Sequence, residues 1–182
     1  MYFNNSGKVN TKQTVELAIQ TAREKGIKHI VVASSSGYTM DFFKDVDDLN
    51  IICVSHAFGY PKEGTNDMSE QKRSELINKG FKVLTTTHVL SGADRGISSK
   101  FGGVSPVEIM AHTLRMFGQG TKVCVEISVM AVDSGLIPYM EPVIAIGGSS
   151  HGADTALILR ASHAAKILDT KIDQIICKPI IE

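Results

Sequence analysis

The stretch HIVVASSSGYTMDFFKDVDDLNIICVSHA, residues 29–57, decides the fold. It opens with a short β-branched run, His29 to Ala33, that stops at Ser34, Ser35, Ser36 and Gly37, and it closes with a second apolar run, Ile51 to Val54. Short apolar runs bounded by Gly and Ser read as buried strands. The polar-apolar mixture between them predicts a helix that starts at the turn and returns the chain to the sheet. In that turn, three small hydroxyl residues and Gly37 let backbone amides face inward, and the first turn of a helix adds unpaired N–H groups and a positive dipole end. Ser34, Ser35, Ser36 and Thr39 each add a hydroxyl, so the turn suits a phosphate without any lysine. Serines and glycine also simply cap helices, and the pattern alone fits both readings.

Working outward, Asn10 and Gln13 have the spacing of a capping box, Val15, Ala18, Ile19 and Ala22 recur at helical spacing, and Gly26 ends that helix. After the quoted stretch comes a loop, His56 to Met68, with Gly59, Pro61 and Gly64, then a polar helix, Ser69 to Lys79, closed by Gly80. Lys82 to Thr85 reads as a strand and Thr86 to Gly103 as a long loop, a kind of segment that is often functional. Ser105, Pro106 and Glu108 form the N-terminus of a capped helix with Val107, Met110, Ala111 and Leu114 inward and Gly118 at its end. Val123 to Leu136 fits both alternation and helical periodicity, and its length favours helix. Pro142 to Ile146 is a further buried strand with a glycine-rich exit, and Leu157 to Arg160 and Gln174 to Lys178 complete the strands. The alternation predicts one domain, residues 1–182, built as a three-layer α/β/α sandwich on a mostly parallel sheet.

Composition narrows the function. Lys plus Arg balance Asp plus Glu at 19 each, which leaves no general field for nucleic acid or an anionic membrane, so an anion must be bound locally. No stretch reaches the roughly 18 apolar residues of a membrane span, and the N-terminal MYFNNSGKVNTKQ lacks a signal-peptide core, so a cytoplasmic protein is expected. Cys53, Cys124 and Cys177 lie far apart among Ile and Val and read as reduced core thiols. None of the six histidines falls in a recognised metal-ligand spacing, and no metal is expected.

The same stretch, 29–57, resembles the C-terminal α/β domain of pyruvate kinase, in which a strand leads into a Ser/Thr-Gly loop, a helix and a second strand. In that family the loop holds the phosphate of an allosteric sugar bisphosphate. The match falls on Ser34, Ser35, Ser36, Gly37, Tyr38 and Thr39. The whole chain is similar to stand-alone proteins built like that domain, through HVLSGADRGISSKFGG at 88–103, KVCVEISVMAVDSGLIP at 122–138 and GGSSHGADTALILR at 147–160. The resemblance implies about five strands in the order 3-2-1-4-5 with the last antiparallel, a mononucleotide ligand with flavin mononucleotide (FMN) foremost, and no pyruvate kinase activity, since the catalytic barrel has no counterpart in these 182 residues. A phosphorylated-sugar sensor is the alternative within the same binding class.

In a sheet of that order a ligand settles where the winding reverses, outside the carboxyl ends of the strands. The expected walls are Ser34 to Thr39 and the loop from Gly147 and Gly148 to Asp154. For a flavin, Phe58 or Tyr60 would stack on the ring and Asp154 would accept from ribityl hydroxyls. The purely structural alternatives are loop anchoring by the aromatics and turn capping by the aspartate. His56 and His88 both follow strands at this edge and are the candidate proton-transfer groups of a small flavin-dependent oxidoreductase, the reading that competes with pure binding. Asp94 and Arg95 read by default as a pair, and Glu126 and Asp133 as a helix surface or interface. Pairing of two copies is common for domains of this size, and a homo-oligomer is compatible with all of this.

Overall fold

Along β2 (His29–Ala33) successive side chains enter two different cores: Ile30 and Val32 pack on one side of the sheet and Val31 on the other. β3 (Asn50–Val54) repeats this, with Ile51 and Cys53 on the first side and Ile52 and Val54 on the second. The period of two along a strand turns an unbroken apolar run into two buried faces, which is why these strands do not alternate with polar residues. β5 (Pro142–Gly147) and β6 (Thr155–Arg160) are divided in the same way.

The computed structural model describes residues 1–180. β1 (Tyr2–Phe3), β4 (Lys82–Leu84) and β7 (Lys171–Pro179) complete a seven-stranded sheet in the order β1-β7-β6-β5-β2-β3-β4. β2 pairs in parallel with β3 and β5, and β3 with β4, whereas β6 is antiparallel to β5 and β7. The five-strand order 3-2-1-4-5 is therefore present as β4-β3-β2-β5-β6, with its last strand antiparallel, and the sheet is two strands wider. The extension arises because β7 continues the meander from β6 and the first residues of the chain pair with β7 at Tyr2 and Phe3.

One face is covered by α1 (Thr11–Lys25) and α2 (Glu70–Asn78) through Val15, Ala18, Ala22 and Leu76. The other is covered by α5 (Gln119–Asp133), with Leu114 of α4 (Pro106–Arg115) packed against the same core. α5 is buried on nearly every side, from Gly120 to Val132, which explains why its sequence satisfies both a helical and a strand-like pattern. The Ser105–Glu108 capping box of α4 forms as expected, with Glu108 accepting from the Ser105 amide at 3.0 Å.

Three local expectations are corrected. The segment after Gly37 is a five-residue 3-10 helix, Tyr38–Phe42, and not an α-helix. Within it Thr39 and Met40 are buried; the backbone is extended again at Phe43, and the chain then turns into β3. The stretch 86–103 is not all loop, for α3 (Ala93–Phe101) lies within it. Asn10 makes no capping bond; a 3-10 turn, Lys8–Asn10, precedes α1, and the Asn10 side chain donates instead to the Asn5 carbonyl at 2.6 Å. All three cysteines are free and buried, and burial pushes the Cys53 thiol up to about 12 and that of Cys177 to about 11.

Candidate functional site

From β2 the sheet winds one way through β3 to β4 and from β5 the other way through β6, so the carboxyl ends of β2 and β5 flank the reversal. On the β2 side, Ser34 is buried, donates its amide to Val54 at 3.0 Å and accepts the Thr39 amide on its hydroxyl at 3.1 Å. Ser34 and Thr39 thus close the turn. Between them, the hydroxyls and amides of half-buried Ser35 and exposed Ser36, and the amide of Gly37, take no hydrogen bond from or to the described residues. Gly37 sits at φ +91°, where a side chain is strained, and a Cβ there would stand 2.7 Å from the Lys72 side chain. Lys72 itself is matched by Asp41 and Glu75, and hydrogen bonding to Asp41 holds its pKa above the usual lysine range. Tyr38 lies edge-on to Phe42 and carries the Lys8 ammonium over its ring at 4.4 Å.

On the β5 side, a Cβ at Gly148 would fall 2.4 Å from the Gly152 carbonyl, so glycine there serves close backbone approach. Asp154 is fully buried, and its carboxylate accepts from the Gly7 amide at 2.7 Å, the Ser149 amide at 3.1 Å and the Thr155 hydroxyl at 2.8 Å. It stitches the N-terminal segment to the exit loop of β5, and with no exposed surface it offers ribityl hydroxyls no access. The Ser149 hydroxyl is buried without a partner among the described residues. Lys8 packs its backbone against Gly152 and reaches Tyr38 with its ammonium, and so spans from one wall to the other. Ser149 lies in the loop expected to form this wall, whereas Lys8 and Lys72 carried no motif that marked them in the sequence.

His56 and His88 come together as expected of two loops leaving the same edge: their ring centroids are 4.5 Å apart, and Tyr60 stacks on His56 at 3.8 Å. Phe58 is 66% exposed and stacks on nothing among the described residues. His56 Nδ1 and His88 Nε2 are buried with no hydrogen-bond partner among the described residues. Behind His88 stands Glu126, whose Oε2 is 3.7 Å from His88 Nδ1, bonded to the Lys122 ammonium, while Oε1 accepts the Leu90 amide at 3.0 Å. Burial lowers the pKa of His88 below the ordinary histidine range, reinforced by His56 and Lys122 and opposed by Glu126.

Glu126 is thus no helix surface: it is 1% exposed and Lys122 5%. Their one sequence mark is an i,i+4 charge pair inside an apolar helix. Asp133 lies elsewhere, paired with His163 at 2.7 Å, and Asp94 and Arg95 form no ion pair among the described residues. His29 is a strand-end residue, its Nδ1 2.7 Å from the Asn50 side chain. Among the described residues no group of three or more His, Cys, Asp or Glu could hold a metal ion. None of the described helices is long and apolar enough to cross a membrane.

A mostly parallel sheet with helices on both faces, and a Ser-Gly turn facing a glycine-rich loop where its winding reverses, defines a doubly wound α/β domain with a switch-point crevice. The family model described as pyruvate kinase, alpha/beta domain matches residues 12–159, and the chain belongs to that family. Among solved structures, a pyruvate kinase from Cryptosporidium parvum is 14% identical, with a TM-score of 0.43 over 84% of this chain and 23% of that one. Cryptosporidium parvum pyruvate kinase in complex with ADP is 15% identical, with a TM-score of 0.42 over 84% of this chain and 24% of that one. The chain spans about a quarter of the length of these enzymes.

Proposed function

We propose that the chain binds the phosphoryl group of a small phosphorylated ligand at the Ser35–Gly37 turn, with FMN the first ligand to test. The observation that carries this reading is a set of amides at Ser35, Ser36 and Gly37, with the two serine hydroxyls, that have no partner among the described residues at the reversal of the sheet. A compact concavity of outward N–H groups favours an anion even without a long helix behind it. Lys8 adds a cation that forms no ion pair among the described residues, and Ser149 adds a buried hydroxyl on the facing wall. The role of Asp154 in this reading is to hold the facing loop, and Tyr60 on His56 offers a ring surface farther along the edge. The function is binding, and phosphoryl transfer forms no part of it.

The test is the visible spectrum of the purified chain after FMN is added and the excess removed, together with a phosphate titration. Retained, stoichiometric flavin is expected, and Ser36→Asp should abolish it with the far-ultraviolet dichroism unchanged, because Ser36 is exposed and the new carboxylate repels the phosphoryl group. A colourless protein that binds sugar phosphates would keep the phosphoryl site and replace the flavin. No binding of FMN, sugar phosphate or inorganic phosphate, or unchanged affinity in S36D, would overturn the assignment.

A further inference from the structure

α3 (Ala93–Phe101) buries none of its residues within the chain, yet Ala93, Ile97 and Phe101 follow one another at intervals of four and share one flank of it. That flank faces water, with Ile97 60% exposed and Phe101 76%. A helix this short does not hold itself together in water and draws its stability from packing an apolar face. α3 is tied to α4 through polar groups, for Glu108 in the first turn of α4 accepts from Ser98 as well as from the Ser105 amide and feels the charge of Arg95. The exposed apolar surface continues on this second helix: Val104 in the connection, Ile109 on the outer side of α4, and Met116 and Phe117 just past its end all stand in water, Met116 at 83%. At about 200 Å² for a large side chain, these six residues leave roughly 800 Å² exposed. The largest apolar patch of a typical monomer is roughly 300–600 Å², and the share that one partner brings to a standard interface is about 800 Å².

We infer that α3 and α4 form the contact surface of a homodimer, in which a second copy of this chain covers the flank of Ile97 and Phe101. Three observations select that occupant. The exposed area is what one half of a stable two-fold interface requires, and in such an interface both copies present the same patch. The ends of α3 carry opposite charges, Asp94 in the first turn and Lys100 in the last, and neither forms an ion pair among the described residues. An antiparallel approach of two copies sets the Asp94 end of one helix beside the Lys100 end of the other, so the surface is complementary to itself. With a formal net charge of zero, two copies also meet without long-range repulsion. A membrane surface fits less well, because a helix that lies in an anionic interface has a polar face rich in Lys and Arg, whereas Asp94 and Glu108 here stand among Arg95, Lys100 and Arg115. The inference is independent of the phosphoryl site, which lies on other residues.

The experiment is analytical ultracentrifugation of the full chain from low micromolar to submillimolar concentration, with amide hydrogen exchange measured at both ends of that range. A dimer is expected, with exchange at 93–101 slowing as it forms. Ile97→Asp and Phe101→Asp should each raise the dissociation constant by about a hundredfold, because a carboxylate desolvated at the contact without a partner opposes association. Both residues are exposed in the single chain, so far-ultraviolet dichroism should stay unchanged, and either variant carries the test should the other unfold. Leu168→Asp, at an exposed position on the 3-10 segment Ala164–Asp169, should leave the dimer intact, as should S36D. A chain that stays monomeric throughout, a dimer that I97D and F101D leave unchanged, or a monomer that sediments with phosphatidylserine vesicles through this patch would overturn the inference.

Discussion

Replacing Lys122 by Met removes one half of a charge pair that the fold has taken out of water. Lys122 is 5% exposed and Glu126 1%, and the carboxylate would keep only the Leu90 amide, at 3.0 Å, as a hydrogen-bond donor. Breaking a buried pair by removing one partner costs about 3–5 kcal/mol, because the remaining charge stays desolvated. Against the roughly 5–15 kcal/mol of a typical domain, that is a large share. At about 2–4 °C per kcal/mol for a chain of this size, the melting temperature should fall by roughly 6–20 °C. The double variant K122M/E126Q carries no buried charge here and keeps an acceptor for Leu90. It should return to within about 1–2 kcal/mol of the parent, since neutral replacement of a whole buried pair costs little. Urea unfolding, followed by dichroism with equal m-values, measures all three. The reasoning fails if K122M lies within about 1 kcal/mol of the parent, or if the double variant is no more stable than the single one.

Gly120→Ala would place a Cβ 2.1 Å from the Thr155 hydroxyl and 3.1 Å from Asp154 Oδ1, so α5 must move off the sheet. A loss of about 1–3 kcal/mol is expected from such overpacking, and a urea midpoint unchanged from the parent would contradict the packing described. The pH dependence follows from His88 and His29, whose pKa values burial lowers below the ordinary 6.5. Between that value and the lower folded one the unfolded chain binds more protons, so stability is complete above pH 6.5, declines as pH falls through that window, and levels off below it. Urea midpoints between pH 8 and pH 5 should show the decline, and His88→Phe should reduce the slope; a slope fully retained in H88F would assign it elsewhere.

Much of the architecture is local in origin and was legible. Val31, Ile52 and Val143 sit in runs that only a strand buried on both faces explains, and Ser105 with Glu108 marks a helix start by side-chain chemistry confined to one turn. The 3-10 segment was misread because a polar-apolar mixture between two strands does not distinguish a five-residue 3-10 helix from a longer α-helix. α3 was missed because none of its residues is buried, so it has no apolar stripe packed on a core to announce it.

The sequence by itself determined the class of fold, the strands on either side of the winding reversal, and the serine turn between β2 and the 3-10 helix, since each depends on residues close together in the chain. Tertiary structure alone decided the use of the polar groups. Asp154 became a bracket for Gly7, 147 residues away, and Glu126 the partner of His88, 38 residues away by their numbering, because burial and hydrogen bonding are set by whichever segment arrives opposite. Periodicity fixes which face a residue occupies; what it meets there is a property of the folded chain.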